Sequence, residues 1–540
     1  MVMAPDQKGC LAGVVQCFCG GAKDEKQAAG RKSMVESKPA GRKSMAADSK
    51  SSRHSRFKSV VVLDNGPSRR AHSGTCDCLR GLFKKSEELE AEAALPELIH
   101  RSADPKAVAR EAVVLVMVGL PARGKSYLSG AVFRHLRLLG VRVRSFNAGE
   151  LRRTTGAAGG AGAQADFFSM SNTDAKAERE RLAMSCCESL LDWIRQAPPN
   201  TSSVGILDAT NTTAARRNRV LQICRDAARE MASYENPKYA PLRVIFLESL
   251  CDDPRLLKDN YRMKLRNDDY KGSSDHIAAL ADFQERVAAY EAVYEQLDDH
   301  ELEPPDDHDV SVPAGCVKII NGGQKIVCCR TGSSLVAAPI ISLLNAMHLT
   351  PRRILLVAQT NGEGAEAEPG ALAALLAQAE QEEGMPIDVL CSADRRGAEL
   401  ARILENQTHS QPVTPKPSIS KALRQQRRAV LTLRALKSRS SETGDMGVEE
   451  SYADLVRRMR SEVILLIERL PRSVFVVCPG EDVRRVLMAH FIGCEDASIS
   501  DMRVPKNKAL QLTRDHKGFS SAELPLPQVK ERLTATSRFG

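Results

Sequence analysis

Aromatic side chains are scarce in this chain: Phe, Tyr and Trp make up 4% of 540 residues, with a single Trp. A protein that holds single-stranded nucleic acid by stacking bases needs a platform of such rings, so that class is disfavoured despite a net charge of +9. Long apolar runs are missing too. No stretch approaches the roughly 18 residues needed to cross a bilayer. The N-terminal "MVMAPDQKGCLAGVVQCFCGG" has neither a proper basic segment nor an adequate apolar one for export. The expectation is a soluble cytoplasmic chain without a membrane span. Regular cysteine spacing is the third absence. The 15 cysteines are odd in number and scattered, with neighbours at Cys186-Cys187 and Cys328-Cys329, which fits reduced thiols better than a secreted disulfide scaffold. Cys10, Cys17, Cys19, Cys76 and Cys78 lack the gaps of common zinc sites and read as thiols in a tail, with metal binding or acylation as the alternatives.

What is present is enough chain for two or three domains, with an ordinary 42% hydrophobic content. The basic excess is concentrated in residues 1–107, where "GRKSM" occurs twice amid Ser, Gly and Lys, a composition expected to stay disordered. One apolar stretch there, "SVVVLD" (59–64), is a candidate for docking. Ser33, Ser44 and Ser59 sit in basic contexts that suit a basophilic kinase, so phosphorylation of the tail is an expectation.

From residue 108 the pattern becomes β-branched runs alternating with helical spacing. "AVVLVMV" (112–118), "VRVRSF" (141–146), "SVGILD" (203–208) and "LRVIFLE" (242–248) read as strands, with helices beginning near 125, 174, 213 and 254, and a further helix over 276–297. Alternation of this kind predicts an α/β domain with a parallel sheet covered on both faces, over 108–300. The acidic, Pro-rich stretch at 301–315 reads as a linker. A second α/β domain is expected over 316–515, with strands at 316–323, 353–359, 386–392 and 473–479, a mobile insertion at 408–447, and a C-terminal tail at 516–540.

The chemistry starts at "GLPARGKSY". Gly119, Leu120, Pro121, Ala122, Arg123, Gly124, Lys125 and Ser126 satisfy the P-loop pattern after a strand and at the start of a helix. Backbone N–H groups surround nucleotide phosphates in such a loop, Lys125 reaches the β/γ oxygens, and Ser126 ligates Mg2+. Asp208, at the end of its strand, is the first choice for proton transfer and for the metal, with helix capping as the compatible plainer role. Arg152, Arg153, Arg179, Arg216, Arg217 and Arg286 suit a second phosphate, because a guanidinium grips its oxygens in a fork; solvated surface arginines are the alternative.

"MVGLPARGKSY", "FNAGELRR", "DATNTTAARR", "FLESLCDDP" and "DYKG … ERVAAYEAVYEQL" together resemble the 6-phosphofructo-2-kinase/fructose-2,6-bisphosphatase family in order and spacing. The resemblance implies a P-loop NTPase-type kinase domain that transfers the γ-phosphoryl of ATP, with Mg2+, to the 2-hydroxyl of fructose 6-phosphate. The product, fructose 2,6-bisphosphate, regulates glycolysis and gluconeogenesis. Carried over residue by residue, Lys125, Asp208 and Cys251 are catalytic. The loop through Tyr127, with Asn260, holds the nucleotide. Arg152, Arg179, Thr210, Arg216, Lys264, Arg286 and Tyr290 bind the sugar, Lys264 on the assumption of one deletion after Asn260. Leu151 stands where the family has tyrosine, and "FFSMSN" (167–172) departs from the family's "FFxPDN".

The second domain resembles the family's histidine-phosphatase half, of phosphoglycerate-mutase-like fold, through "CVKIINGGQKIVCCRTG", "CSADRRGAE" and "FVVCPGEDVRRVLMAHF". The family's Arg-His-Gly-Glu is replaced by "QTNGE", which puts Thr360 and Asn361 at the arginine and nucleophilic histidine, and Pro479 or Gly480 at the second histidine. Asn361 cannot form a phosphohistidine, and Arg396 alone only binds. This half is therefore expected to be a degenerate phosphatase kept for structure, regulation or homodimer contacts. Two other readings remain open at this level: a non-catalytic ATP or sugar-phosphate sensor, and a P-loop kinase for another acceptor.

Overall fold

A seven-residue strand such as Ala112–Val118, in which every side chain is buried, can lie only inside a sheet covered on both faces. The structure, a computed structural model, describes residues 60–64, 111–155, 172–198, 201–232, 240–265, 275–303, 312–332, 334–347, 352–359, 369–406, 428–439, 450–494, 498–514 and 518–527. Its first sheet contains β1 (Val60–Asp64), β2 (Ala112–Val118), β3 (Arg142–Asn147), β4 (Ser203–Asp208), β5 (Leu242–Leu250), β6 (Ala314–Ile320) and β7 (Lys325–Cys329). The spatial order is β1-β7-β6-β5-β2-β4-β3. Strands β2 to β6 are mutually parallel, while β7 and β1 turn the edge antiparallel. Helices α1 (Lys125–Leu138), α2 (Ala148–Thr154), α3 (Thr173–Arg195), α4 (Ala214–Ala232), α5 (Pro254–Lys264), α6 (His276–Glu291) and α7 (Ala337–Ala346) accompany this sheet. Gly205 lets α3 approach closely, since a Cβ there would lie 2.4 Å from the Leu190 side chain.

Three expectations about the chain's division are corrected. The run at 316–323 belongs to the first sheet, where β6 pairs with β5 from Val244↔Ala314 to Leu250↔Ile320. The sheets divide after α7, so the acidic, proline-rich stretch does not separate them. Part of the 408–447 insertion is the edge strand β10 (Val430–Leu433), paired with the strand Asp388–Ser392. Part of the 516–540 tail is β13 (Phe519–Pro525), paired with the strand Lys508–Arg514. Both are edge strands held by backbone hydrogen bonds, and β13 buries little, which leaves a weak apolar signal in the sequence. The apolar stretch at 59–64 does dock, as β1 on β7, with Val60↔Cys329 in register. The helix expected over 276–297 ends at Glu291, because Leu297 N–H and the Tyr294 hydroxyl turn instead to the buried Glu248 carboxylate, at 2.9 and 2.5 Å. Ser33, Ser44, Ser59 and the N-terminal cysteines lie outside the described residues.

The second sheet has the order β10-β9-β11-β8-β12-β13. Strands β8 (Arg353–Ala358), β9 (Asp388–Ser392), β10 and β11 (Val474–Cys478) run parallel, and β12 (Lys508–Arg514) and β13 extend one edge antiparallel. Its helices include α8 (Pro369–Glu383), α9 (Arg395–Asn406), α10 (Tyr452–Met459), α11 (Leu465–Arg469) and α12 (Glu481–Phe491). The two units are joined through α1. Leu138 packs into the core of the second sheet, Arg134 donates to the His490 carbonyl at 3.2 Å, and the buried His135 ring meets His490 edge-on at 5.5 Å.

Candidate active site

The loop between β2 and α1 is shaped by what it must pass. Gly119 has φ +134°, and a Cβ there would lie 2.6 Å from the Ser249 carbonyl, so a side chain is excluded where the loop crosses β5. Ala122 and Gly124 also take positive φ. Helix α1 then starts with no side-chain cap and no acid in its first turn, leaving its amino end to an anion. Braces fix the loop from outside. Asn260 donates to the Ala122 carbonyl at 3.0 Å, Arg123 pairs with Glu291 at 2.9 Å, the Thr210 carbonyl accepts from Gly119 N at 2.9 Å, and the Ala122 methyl packs on Phe283 and Val287 of α6. Lys125 is buried and folds back to donate to the Leu120 carbonyl at 2.7 Å.

Asp208 ends β4, beside Asn147 at the end of β3 in register. The Asn147 amide donates to Asp208 at 2.8 Å, while its oxygen caps α2 by accepting Glu150 N–H at 3.0 Å. Asn147 thus orients the carboxylate, a role that sequence reading missed; the asparagine ahead of "AGE" was legible as a cap but not as a partner of Asp208. Burial raises the Asp208 pKa, against Lys125, Lys264 and hydrogen bonds from Ser126 and Asn147. Burial also brings Lys125 down to about 7, against Asp208 and with Lys264, Arg123 and Arg286 adding repulsion.

Both groups open into one cavity of about 210 Å3 at the C-terminal edge of the parallel strands. Pro121, Ala122, Gly124, Ser126, Tyr127 and Asn260 line it on the loop side. Arg152 enters from α2, Arg179 from α3, Thr210 and Arg216 from the segment after β4, Lys264 from α5, and Arg286 and Tyr290 from one face of α6, four residues apart. Burial lowers the Arg179 pKa; Arg216 and Arg286 act in the same direction and Tyr290 opposes them. Arg216 is held by Glu180 at 2.5 Å. So dense a group of cations, facing few carboxylates, suits an anion with several oxygens. Arg153 and Arg514 line the cavity as well.

Some expected residues stand elsewhere. Gly119, Leu120 and Arg123 shape the loop from behind. Cys251 lines a separate cavity of about 270 Å3 with Leu120, Arg123 and Tyr294, and burial pushes its thiol pKa up, so the expected catalytic role of Cys251 finds no support in geometry or ionisation. Arg217 points away from the cavity. Its side chain is fully buried on Glu301, at 2.6 and 2.8 Å, and on the Asn211 and Glu295 carbonyls.

In the second unit the corresponding strand ends carry carboxylates. Asp394, after β9, accepts Gly397 N–H at 2.7 Å. Burial opposes its ionisation, but hydrogen bonds from Gly397, Ser392, Gln359 and Arg396 hold its pKa below the usual range. Asp482, in the first turn of α12, accepts from Ser438 Oγ at 3.0 Å and from Arg439 N–H at 2.6 Å. Arg396 is exposed, and Thr360 and Asn361 lie outside the described residues.

A profile of the 6-phosphofructo-2-kinase family matches residues 102–350, a span that includes β2 to β7 and α7. The chain is 31% identical over 425 residues to the 6-phosphofructo-2-kinase/fructose-2,6-bisphosphatase of Caenorhabditis elegans, a match covering 74% of this chain and 86% of that protein. It is 27% identical over 430 residues to 6-phosphofructo-2-kinase/fructose-2,6-bisphosphatase 3 of Homo sapiens, covering 76% of each. A probable 6-phosphofructo-2-kinase of Schizosaccharomyces pombe is 35% identical over 244 residues, or 45% of this chain and 32% of the relative.

Proposed function

Because this chain belongs to the 6-phosphofructo-2-kinase/fructose-2,6-bisphosphatase family, we propose that the cavity at the edge of its first sheet is where a phosphoryl group passes from ATP to the 2-hydroxyl of fructose 6-phosphate. The activity itself is that of a 6-phosphofructo-2-kinase, a phosphotransferase of fructose 2,6-bisphosphate metabolism. The observation that supports this assignment of the site is convergence: the loop lysine, Asp208 and four arginines from separate segments line a single cavity.

In this reading the loop N–H groups and Lys125 hold the β- and γ-phosphates. Arg152, Arg179, Arg216 and Arg286 hold the 6-phosphate, while Thr210, Lys264 and Tyr290 orient the sugar. Asp208, its pKa raised, takes the proton from the 2-hydroxyl as the new O–P bond forms and the bond to the ADP oxygen breaks. No cluster of three His, Cys, Asp or Glu that could hold a metal occurs among the described residues, but the hydrogen-bonded Ser126 and Asp208 oxygens fit a hard cation whose other ligands come from the nucleotide. Mg2+ held there would neutralise phosphate charge. A coupled assay for ADP with a panel of phosphorylated sugars tests the assignment: fructose 6-phosphate is expected to be turned over to an acid-labile bisphosphate, and absence of turnover on it overturns the reading.

The state of Lys125 has a measurable consequence. A triphosphate on the loop is an opposite charge and raises the pKa from about 7. Between the two values ATP binding takes up a proton, so affinity weakens as pH rises through that window. Calorimetry at about pH 8 in buffers of different ionisation enthalpy is expected to show uptake of about one proton; no uptake would mean that Lys125 is already charged.

We also propose that hydrolysis of fructose 2,6-bisphosphate has been lost. Asn361 stands where the nucleophilic imidazole is needed. Asp394 and Asp482 put carboxylates at the helix starts that would otherwise receive a phosphate. Purified protein is expected to release no phosphate from fructose 2,6-bisphosphate, and Asn361→His is expected not to restore release; turnover by either form would contradict the loss.

A further inference from the structure

One basic residue of the kinase cavity comes from the other unit. Arg514 is the last residue of β12 in the second sheet, almost four hundred positions after the loop lysine, yet it lines the same cavity as Lys125 and Asp208. Its guanidinium carbon lies 4.6 Å from the centroid of the Tyr127 ring, and Tyr127, itself buried, directly follows Ser126 in the first turn of α1. Stacking on a fixed ring pre-orders the guanidinium, so little side-chain entropy is lost when it meets a ligand.

The surroundings say which ligand. Arg179, at the sugar end, is influenced by Tyr290, Arg216 and Arg286, whereas Arg514 is influenced by Tyr127, Arg352 and Asp259. Asp259 precedes Asn260, the residue that braces the loop at Ala122. Arg514 therefore belongs to the Tyr127–Asn260 side of the loop. An anion reaching that side while its outer phosphates lie on Lys125 is the inner part of a nucleoside triphosphate. The placement is stable because α1 is docked to the second unit through Arg134, His135 and Leu138.

We propose that Arg514 is a nucleotide-binding residue of the kinase, contributed by the second sheet, that holds the α-phosphate of ATP. The inference rests on the kinase reading above and gives the second unit a task that needs no hydrolytic chemistry: it completes the donor site. The test titrates a fluorescent mant-ATP and mant-ADP into the full chain, comparing wild type with R514A, R514K and K508A, the last an exposed residue of the same strand paired with Glu523. R514A is expected to weaken both nucleotides about tenfold, R514K to fall between it and wild type, and K508A to change nothing. In the steady state R514A should raise KM for ATP while KM for fructose 6-phosphate stays within about twofold of wild type. Unchanged nucleotide affinity in R514A overturns the proposal. So does a parallel rise in both KM values with a lowered melting temperature, which would mean that Arg514 only docks the two units. If wild type binds mant-ATP but does not phosphorylate fructose 6-phosphate, the functional reading fails while the effect of Arg514 on binding can still be read.

Discussion

Asp208→Asn is expected to lower kcat by about 10²–10⁴-fold, the usual worth of a positioned general base, with KM for both substrates changed little. The substitution keeps the shape and retains hydrogen-bonding groups toward Asn147 and Ser126, but it removes the carboxylate that lines the cavity from the end of a central strand. An amide cannot take the 2-hydroxyl proton. Burial raises the carboxyl pKa, which makes it a better proton acceptor than a solvated aspartate, while Lys125 and Lys264 oppose that rise. Asn147→Ala is the partner experiment. It leaves the carboxylate but removes the 2.8 Å bond that aims it, so a smaller loss in kcat, about tenfold, is expected. Rapid-quench measurement of the chemical step distinguishes these from effects on product release. An Asp208→Asn enzyme with near wild-type turnover would remove Asp208 from the mechanism.

The second large effect is on stability. Arg217→Ala is expected to reduce the unfolding free energy by about 3–5 kcal/mol, the range for breaking a buried ion pair. The guanidinium is fully buried and makes a two-pronged pair with Glu301. It also donates to the Asn211 and Glu295 carbonyls, so removing it strands a carboxylate and two backbone acceptors at once. Arg216→Ala, one residue earlier, is expected to leave stability nearly intact and to raise KM for fructose 6-phosphate, because Arg216 lines the cavity and pairs with the half-exposed Glu180. Urea denaturation and steady-state kinetics on the two variants should give opposite patterns. Equal loss of stability in both would mean that the adjacent arginines share one structural role.

This pair shows where sequence reading stops. "AARRNR" presents two neighbouring arginines with identical chemistry, and a helix sends consecutive side chains about 100° apart. Which of the two faces the cavity depends on the rotation of α4 against β4, set by packing of Val220, Leu221 and Cys224 into the core. Asn147 was missed for a similar reason: its partner is sixty-one residues away and becomes a neighbour only through the β3–β4 register. The boundary placed at the acidic stretch failed because proline and aspartate content is a local signal, whereas sheet membership of β6 depends on pairing with β5.

By itself the sequence determined the loop, the alternation of strands and helices in the first unit, and the residue types that can grip phosphate, because each of these is local: a glycine at positive φ, an apolar run, a lysine and serine at fixed spacing. It also places an amide at position 361, on which the proposed loss of hydrolysis rests. Only the tertiary structure decided which arginines share one cavity, that Cys251 opens into another, and that Arg514 reaches the first cavity from the far sheet. Contacts of that range are produced by sheet order and helix packing, which arise from the burial of whole faces and leave no mark on the spacing of the residues they bring together.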